Sequence, residues 1–228
     1  MKTKWVGVAA LPLVLSSCAV LPEAGTGAKT KRIVVTATMQ QAINPNFVYI
    51  FAFRPSTEVN PTTQGPVPVV SSPWGNGFVG GNCTAFVRWD PFQSPNYLIY
   101  RFNDANLTSW YQTGVPVNYV DIGSNSKSFV FEIDLTQLAL TQAEADSYKS
   151  LQINILTMDR IPQGTGGSKA WDALGDGRLP SSINDYITID LRTAGIYNDT
   201  KYGDMEPAGD APDPSLDIVD FQVEVRRQ

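Results

Sequence analysis

Carboxylates are the most abundant charged groups of this chain. Asp199, Asp204, Glu206, Asp210, Asp213, Asp217 and Asp220 fall between residues 199 and 220, against one cation, Lys201. Carboxylates crowded in this way repel, and a divalent cation that prefers oxygen ligands would relieve the repulsion. Solvation relieves it too, and Pro207, Pro212 and Pro214 favour an extended, hydrated loop. Asp217 and Asp220 are expected to face solvent at the start of the last strand.

A second acidic stretch, Gly164-Thr165-Gly166-Gly167-Ser168-Lys169-Ala170-Trp171-Asp172-Ala173-Leu174-Gly175-Asp176-Gly177, sets two aspartates beside glycines. Glycines let backbone carbonyls turn inward beside carboxylates, as calcium loops require, but the Asp-x-Asp-x-Asp spacing and the terminal glutamate are missing. The plainer expectation is a tight surface turn. A phosphate loop is excluded by the glycine-to-lysine spacing. Taken together, the candidate metal ligands are Asp172, Asp176, Asp204 and Asp210, and the candidate cofactor is calcium.

Catalytic alternatives are narrow. The chain contains no histidine, so neither a Ser-His-Asp nor a Cys-His nucleophile can be assembled, nor a zinc site of histidine type. A carboxylate pair could hydrolyse a glycoside as acid and nucleophile or base, but no pair has a separation that the sequence determines. No catalytic residue is assigned. Cys83 precedes the apolar Ala85-Phe86-Val87 run and reads as a small core residue.

Aromatic side chains in loops are the stronger lead for binding. Trp74 lies in Pro73-Trp74-Gly75-Asn76-Gly77, and Trp110-Tyr111 lies in the loop from Asn106 to Gly114. Such rings stack on sugars or anchor protein partners. The structural alternative is that they fold back over the sheet edges.

The elements that must position these residues are strands. Ile33, Val35, Ala37 and Met39 recur with a period of two, as do Phe129, Phe131, Ile133 and Leu135, the latter in a half-buried strand. Residues 47–53 are apolar on both faces, so they predict a central strand covered on both sides. Asn44-Pro45-Asn46 between the first two strands predicts a hairpin. Further strands are predicted over 84–89, 97–102, 117–122, 151–158, 186–191 and 218–226. Thr141-Gln142-Ala143-Glu144 matches a helix capping box, with the helix running to about Lys149. Residues 55–77 form the longest loop. The pattern is all-β: a single antiparallel β-sandwich, immunoglobulin-like or jelly-roll-like, of eight or nine strands with one short helix. A closed barrel is the rival architecture.

The N-terminus carries an address. Lys2 and Lys4 precede an apolar run from Trp5 to Leu15, too short to span a bilayer. Leu15-Ser16-Ser17-Cys18 follows and resembles the lipobox of bacterial lipoproteins. The resemblance implies a signal peptide over 1–17, lipidation of Cys18, and a membrane partner reached through that anchor. Residues 18–30 then form a flexible tether, with the sandwich domain over 31–228. The same resemblance, with Ala19 rather than an aspartate after the cysteine, implies the outer membrane where the organism has one. Loss of residues 1–17 removes two lysines and moves the net charge from -5 to -7, which disfavours nucleic acid as a partner. The expectation is a lipid-anchored cell-envelope protein, a non-catalytic binding module for carbohydrate or protein. A structural component of an envelope assembly is the alternative, and a calcium-dependent hydrolase a more distant one.

Overall fold

The computed structural model describes residues 31–160, 169–175 and 186–227. Two antiparallel sheets face each other across one apolar layer. The first is built from β1 (Lys31–Met39), β8 (Asn118–Tyr119), β9 (Ser128–Asp134), β13 (Gly195–Asn198) and β14 (Ile218–Arg227), in the order β13-β14-β1-β9-β8. The second contains β2 (Val48–Ser56), β5 (Ala85–Trp89), β6 (Tyr97–Phe102), β7 (Trp110–Gly114), β10 (Ser150–Met158) and β11 (Trp171–Ala173), in the order β11-β10-β2-β5-β6-β7. In it β12 (Ile187–Asp190) also pairs with β10. A separate pair joins β3 (Pro66–Pro68) to β4 (Val79–Gly81). The sandwich class is as predicted, with more strands than the eight or nine expected. The additional ones (β3, β4, β7, β11 and β13) run only three to five residues, too short to establish a period.

The period-two faces meet in the core. Ile33, Val35 and Ala37 of β1 and Phe129, Phe131 and Ile133 of β9 pack against Tyr49, Phe51 and Phe53 of β2. Ring contacts span the layer, with Tyr49 and Phe129 centred 4.9 Å apart and Phe51 and Phe131 4.8 Å apart. The expected hairpin between β1 and β2 does not form, because the two strands belong to opposite sheets. Their connection bonds elsewhere: Ile43 N donates to Ser126 O, Gln41 N to Pro214 O and Gln40 N to Asp217 O. The turn signal at Asn44–Asn46 is present, with Asn46 N donating to Asn44 Oδ1 at 3.0 Å. It makes a crossover between the sheets.

β2 is covered on both faces, as its composition requires. Val48, Ile50 and Ala52 point away from the main core into a second apolar cluster with Phe86, Phe102, Leu156 and Val79. The 57–81 excursion covers this outer face, and buried polar groups of β10 hold it there. Ser150 Oγ donates to Glu58 O, Gln152 Nε2 to Thr63 O and Asn154 Nδ2 to Pro66 O. Much of the long loop is therefore a lid on the second sheet. β9, expected to be half-buried, is covered on both sides: Val130, Glu132 and Asp134 are all buried. Arg32 lies against Glu132 and Asp134 at 3.5 and 3.8 Å, so the outward carboxylates are shielded by a cation.

The helix α1 (Gln142–Ser147) begins at Thr141, whose hydroxyl accepts from Glu144 N at 3.1 Å. Glu144 reaches back to Leu140 N, one residue before the cap. The helix stops two residues short of Lys149. Among the described residues, no helix is long and apolar enough to cross a membrane.

Candidate functional site

The two acidic segments, one predicted to be a surface turn and the other an extended, hydrated loop, converge on one end of the sandwich. β11 is the edge strand beside β10, with Asp172 registered against Thr157. Asp172 is fully buried, and its Oδ2 accepts from Ile218 N at 2.7 Å. Because Ile218 opens β14, this bond links the edge of the second sheet to the first. Asp217, expected in solvent, is also fully buried. The loop wraps around its carboxylate instead, with Gly209 N donating to Oδ2 at 2.7 Å and Ala211 N to Oδ1 at 3.5 Å. Gly209 has φ +92°, where a side chain would be strained. One oxygen from each of Asp172, Asp210 and Asp217 lies within 4.8 Å of the others, and Asp210 is exposed.

Glu206 belongs to the same end. It is 4% exposed, and its Oε1 accepts from Gly175 N at 2.6 Å, three residues beyond Asp172. Its own N–H donates to Asp199 Oδ1. Burial, followed by the charges of Asp172, Asp210 and Asp199, pushes the Glu206 carboxyl up to about 10, with the Gly175 bond pulling the other way. Of the residues assigned to metal from sequence, Asp172 and Asp210 come together. Asp204 is exposed at φ +54° outside the cluster, and Asp176 lies outside the described residues. Sequence reasoning missed Asp217 and did not distinguish Glu206 from its neighbours. Gly209, eight residues before Asp217, was the local signal of a loop closing on a carboxylate.

The aromatic candidates do not form one platform. Trp110, expected in a loop, opens β7 and packs edge-on against Phe78, Phe86 and Phe102, with ring centroids 6.0–6.1 Å apart. Tyr111 is the next residue on the strand, so it points to the opposite face and is 43% exposed. Trp74 is half-buried and has Lys169 Nζ 5.9 Å from its ring centre. Lys169 is itself buried, donating to the carbonyls of Val69 and Gly77. Residues 169–175 are thus an interior segment, which corrects the surface turn expected there. Cys83 sits in the outer cluster, where burial pushes its thiol up to about 12. That is the chemistry of a core residue and not of a nucleophile.

The fold defines an antiparallel β-sandwich with a carboxylate cluster joining its two sheets. Comparison with known proteins finds no family model, no curated protein and no solved structure that matches this chain.

Proposed function

We propose that the protein is a lipid-anchored, non-catalytic docking module of the cell envelope, which takes an extended segment of a protein partner along β7. The observation that carries this reading is the character of that edge. β7 pairs with β6 on one side and with no strand on the other among the described residues. No charged residue occurs between Asp104 and Asp121, and Tyr111, Gln112 and Thr113 are exposed. Natural sheets protect such edges with charges, prolines, bulges or a covering element. A register shift at Ile99/Tyr100 disturbs only the Gly114 end, leaving Trp110 to Gln112 in regular pairing. An uncharged open edge offers main-chain groups to an incoming strand.

The split of Trp110 and Tyr111 between two faces argues against a sugar-stacking pair. The full burial of Asp172 and Asp217 argues against a hydrolase, since neither could flank a glycosidic bond. A structural role in an assembly is favoured by one further feature: among the described residues β13 is a second open edge, on the other sheet, with Ile196 half exposed.

The test is a photo-crosslinking residue placed at Gln112 in envelopes of the native organism, with a control at exposed Leu140. The expected result is one defined protein adduct from position 112, lost on Tyr111→Lys and absent from position 140. Replacing Cys18 with Ser should release the chain from the membrane fraction. Glycan binding lost on Tyr111→Ala, without a protein adduct, would overturn the docking reading.

A further inference from the structure

We propose that the end of the sandwich where β1 begins is a membrane-contact face, on which Lys31, Lys149, Arg192 and Arg227 meet the anionic phospholipid headgroups of the bilayer that carries the anchor. The arrangement rests on the lipidation of Cys18 proposed above. Residues 19–30 separate that cysteine from Lys31, and they reach at most roughly 45 Å. The anchored chain therefore enters the domain at this end. Main-chain and side-chain bonds gather the four cations there from separate segments. Lys31 is registered against Arg227, and its Nζ donates to Tyr148 O at 3.0 Å. The carbonyl of Lys149, the next residue, accepts from Leu191 N, which brings Arg192 alongside, and Arg227 Nη1 donates to Arg192 O.

Lys149, Arg192 and Arg227 are exposed, and Lys31 is half-buried. Arg192 is paired with Asp190 at 2.8 Å, but among the described residues Lys31, Lys149 and Arg227 form no ion pair. Burial and then the like charge of Arg227 lower the Lys31 pKa, with Asp146 opposing them, so crowded positive charge is relieved by an anionic surface. Two exposed carboxylates share this end, Asp146, which accepts from Gln142 Nε2, and Glu58. They leave the cations in excess. The far end has the opposite sign. β1 runs for nine residues, about 30 Å, from Lys31 to Met39. Beyond it Gln40 N and Gln41 N bond into the loop that carries Asp210, Asp213 and Asp217. The domain is thus dipolar along β1, and the acidic end points away from a negative surface, several Debye lengths from it. Leu140, 70% exposed at the turn before α1, adds an apolar contact at the cationic end. β7 runs along the flank of the second sheet, so this orientation leaves its edge accessible.

The experiment uses the mature protein, extracted from membranes and reconstituted into phosphatidylcholine vesicles with or without phosphatidylglycerol. A fluorophore is attached at Thr193→Cys, beside Arg192, or at Pro212→Cys in the acidic loop, Cys83 being buried and its thiol raised to about 12. A lipid with a nitroxide on its headgroup quenches the probe that lies at the surface. The expected result is quenching at 193 and not at 212, only with phosphatidylglycerol present, and lost at about 0.5 M salt. Each cation near an anionic surface changes binding by about fivefold. Lys149→Gln with Arg227→Gln should therefore lower the ratio of surface-bound to free domain by about 25-fold. Lys127→Gln with Lys201→Gln, the same charge change away from this end, should leave the ratio near that of the wild type. Equal quenching at both positions would overturn the proposal, as would quenching at 193 that ignores lipid charge or responds equally to the two double variants. Mass spectrometry of the extracted chain reads acylation separately, and a chain without acyl groups would overturn the anchor alone. Flotation of that chain with phosphatidylglycerol vesicles then decides the face: salt-sensitive binding lost on Lys149→Gln with Arg227→Gln supports it, and absence of binding overturns it.

Discussion

Replacing Lys169 with Met removes a charge that the fold holds almost wholly out of water. The Lys169 ammonium donates to Val69 O at 3.2 Å and to Gly77 O, beside the Trp74 ring, and so ties the 69–78 segment to the chain entering β11. Burial lowers its pKa from 10.5 to about 8, with Asp159 opposing part of the effect. The unfolded chain keeps the ordinary value, so the folded protein binds fewer protons between about pH 8 and 10.5. Stability from this group therefore rises with pH across that window and is flat below it. The window spans about two and a half pH units, and at about 1.4 kcal/mol per unit the rise is ~3 kcal/mol. Cys83 and the buried tyrosines act in the opposite sense at high pH, because their raised values favour the protonated folded state. They are present in both proteins, so the difference between wild type and Lys169→Met cancels them. Urea unfolding followed by tryptophan fluorescence at intervals from pH 7 to 10.5 measures that difference. At pH 7 the variant loses donors for two carbonyls, about 1–3 kcal/mol each, partly offset by relief of the buried charge. The stability advantage of the wild type should then grow by ~3 kcal/mol towards pH 10.5. A difference that stays constant with pH would refute the buried-ammonium account.

Two further outcomes follow from the core. Phe129 packs against the rings of Tyr49, Phe51, Trp89 and Tyr97 across the two sheets, so Phe129→Ala should cost about 3–5 kcal/mol in denaturant unfolding. A loss under ~1 kcal/mol would mean that the layer repacks around the gap. The Cys83 thiol, buried and pushed up to about 12, should resist alkylation by iodoacetamide at pH 8 in the native protein and react fully in urea. Rapid native labelling would show that the outer cluster opens readily.

Much of the strand architecture was legible because alternation of apolar and polar residues reports which face of a strand is buried. The long strands β1, β2, β9, β10 and β14 fall in the segments predicted as strands, and the two-faced composition of β2 correctly marks a strand between two apolar layers. Cys83 as a core residue and Thr141 as a helix cap were equally readable, since a local run or a four-residue spacing encodes each. Two of the three clustered aspartates, Asp172 and Asp210, could be singled out from the acidic character of their segments. Periodicity does not encode which strands pair, so only the tertiary structure put β1 and β2 in opposite sheets. Nor does it reveal whether a polar residue will be covered by distant chain. Asp217 is buried because Gly209 and Ala211 close over it, and Lys169 because the 69–78 segment supplies carbonyls for its ammonium. Glu206 feels Asp199 and Asp210 of its own segment and also Asp172, which only the meeting of the two sheets brings near it. Local physical chemistry determined the building elements, and long-range packing decided which charged groups leave water together.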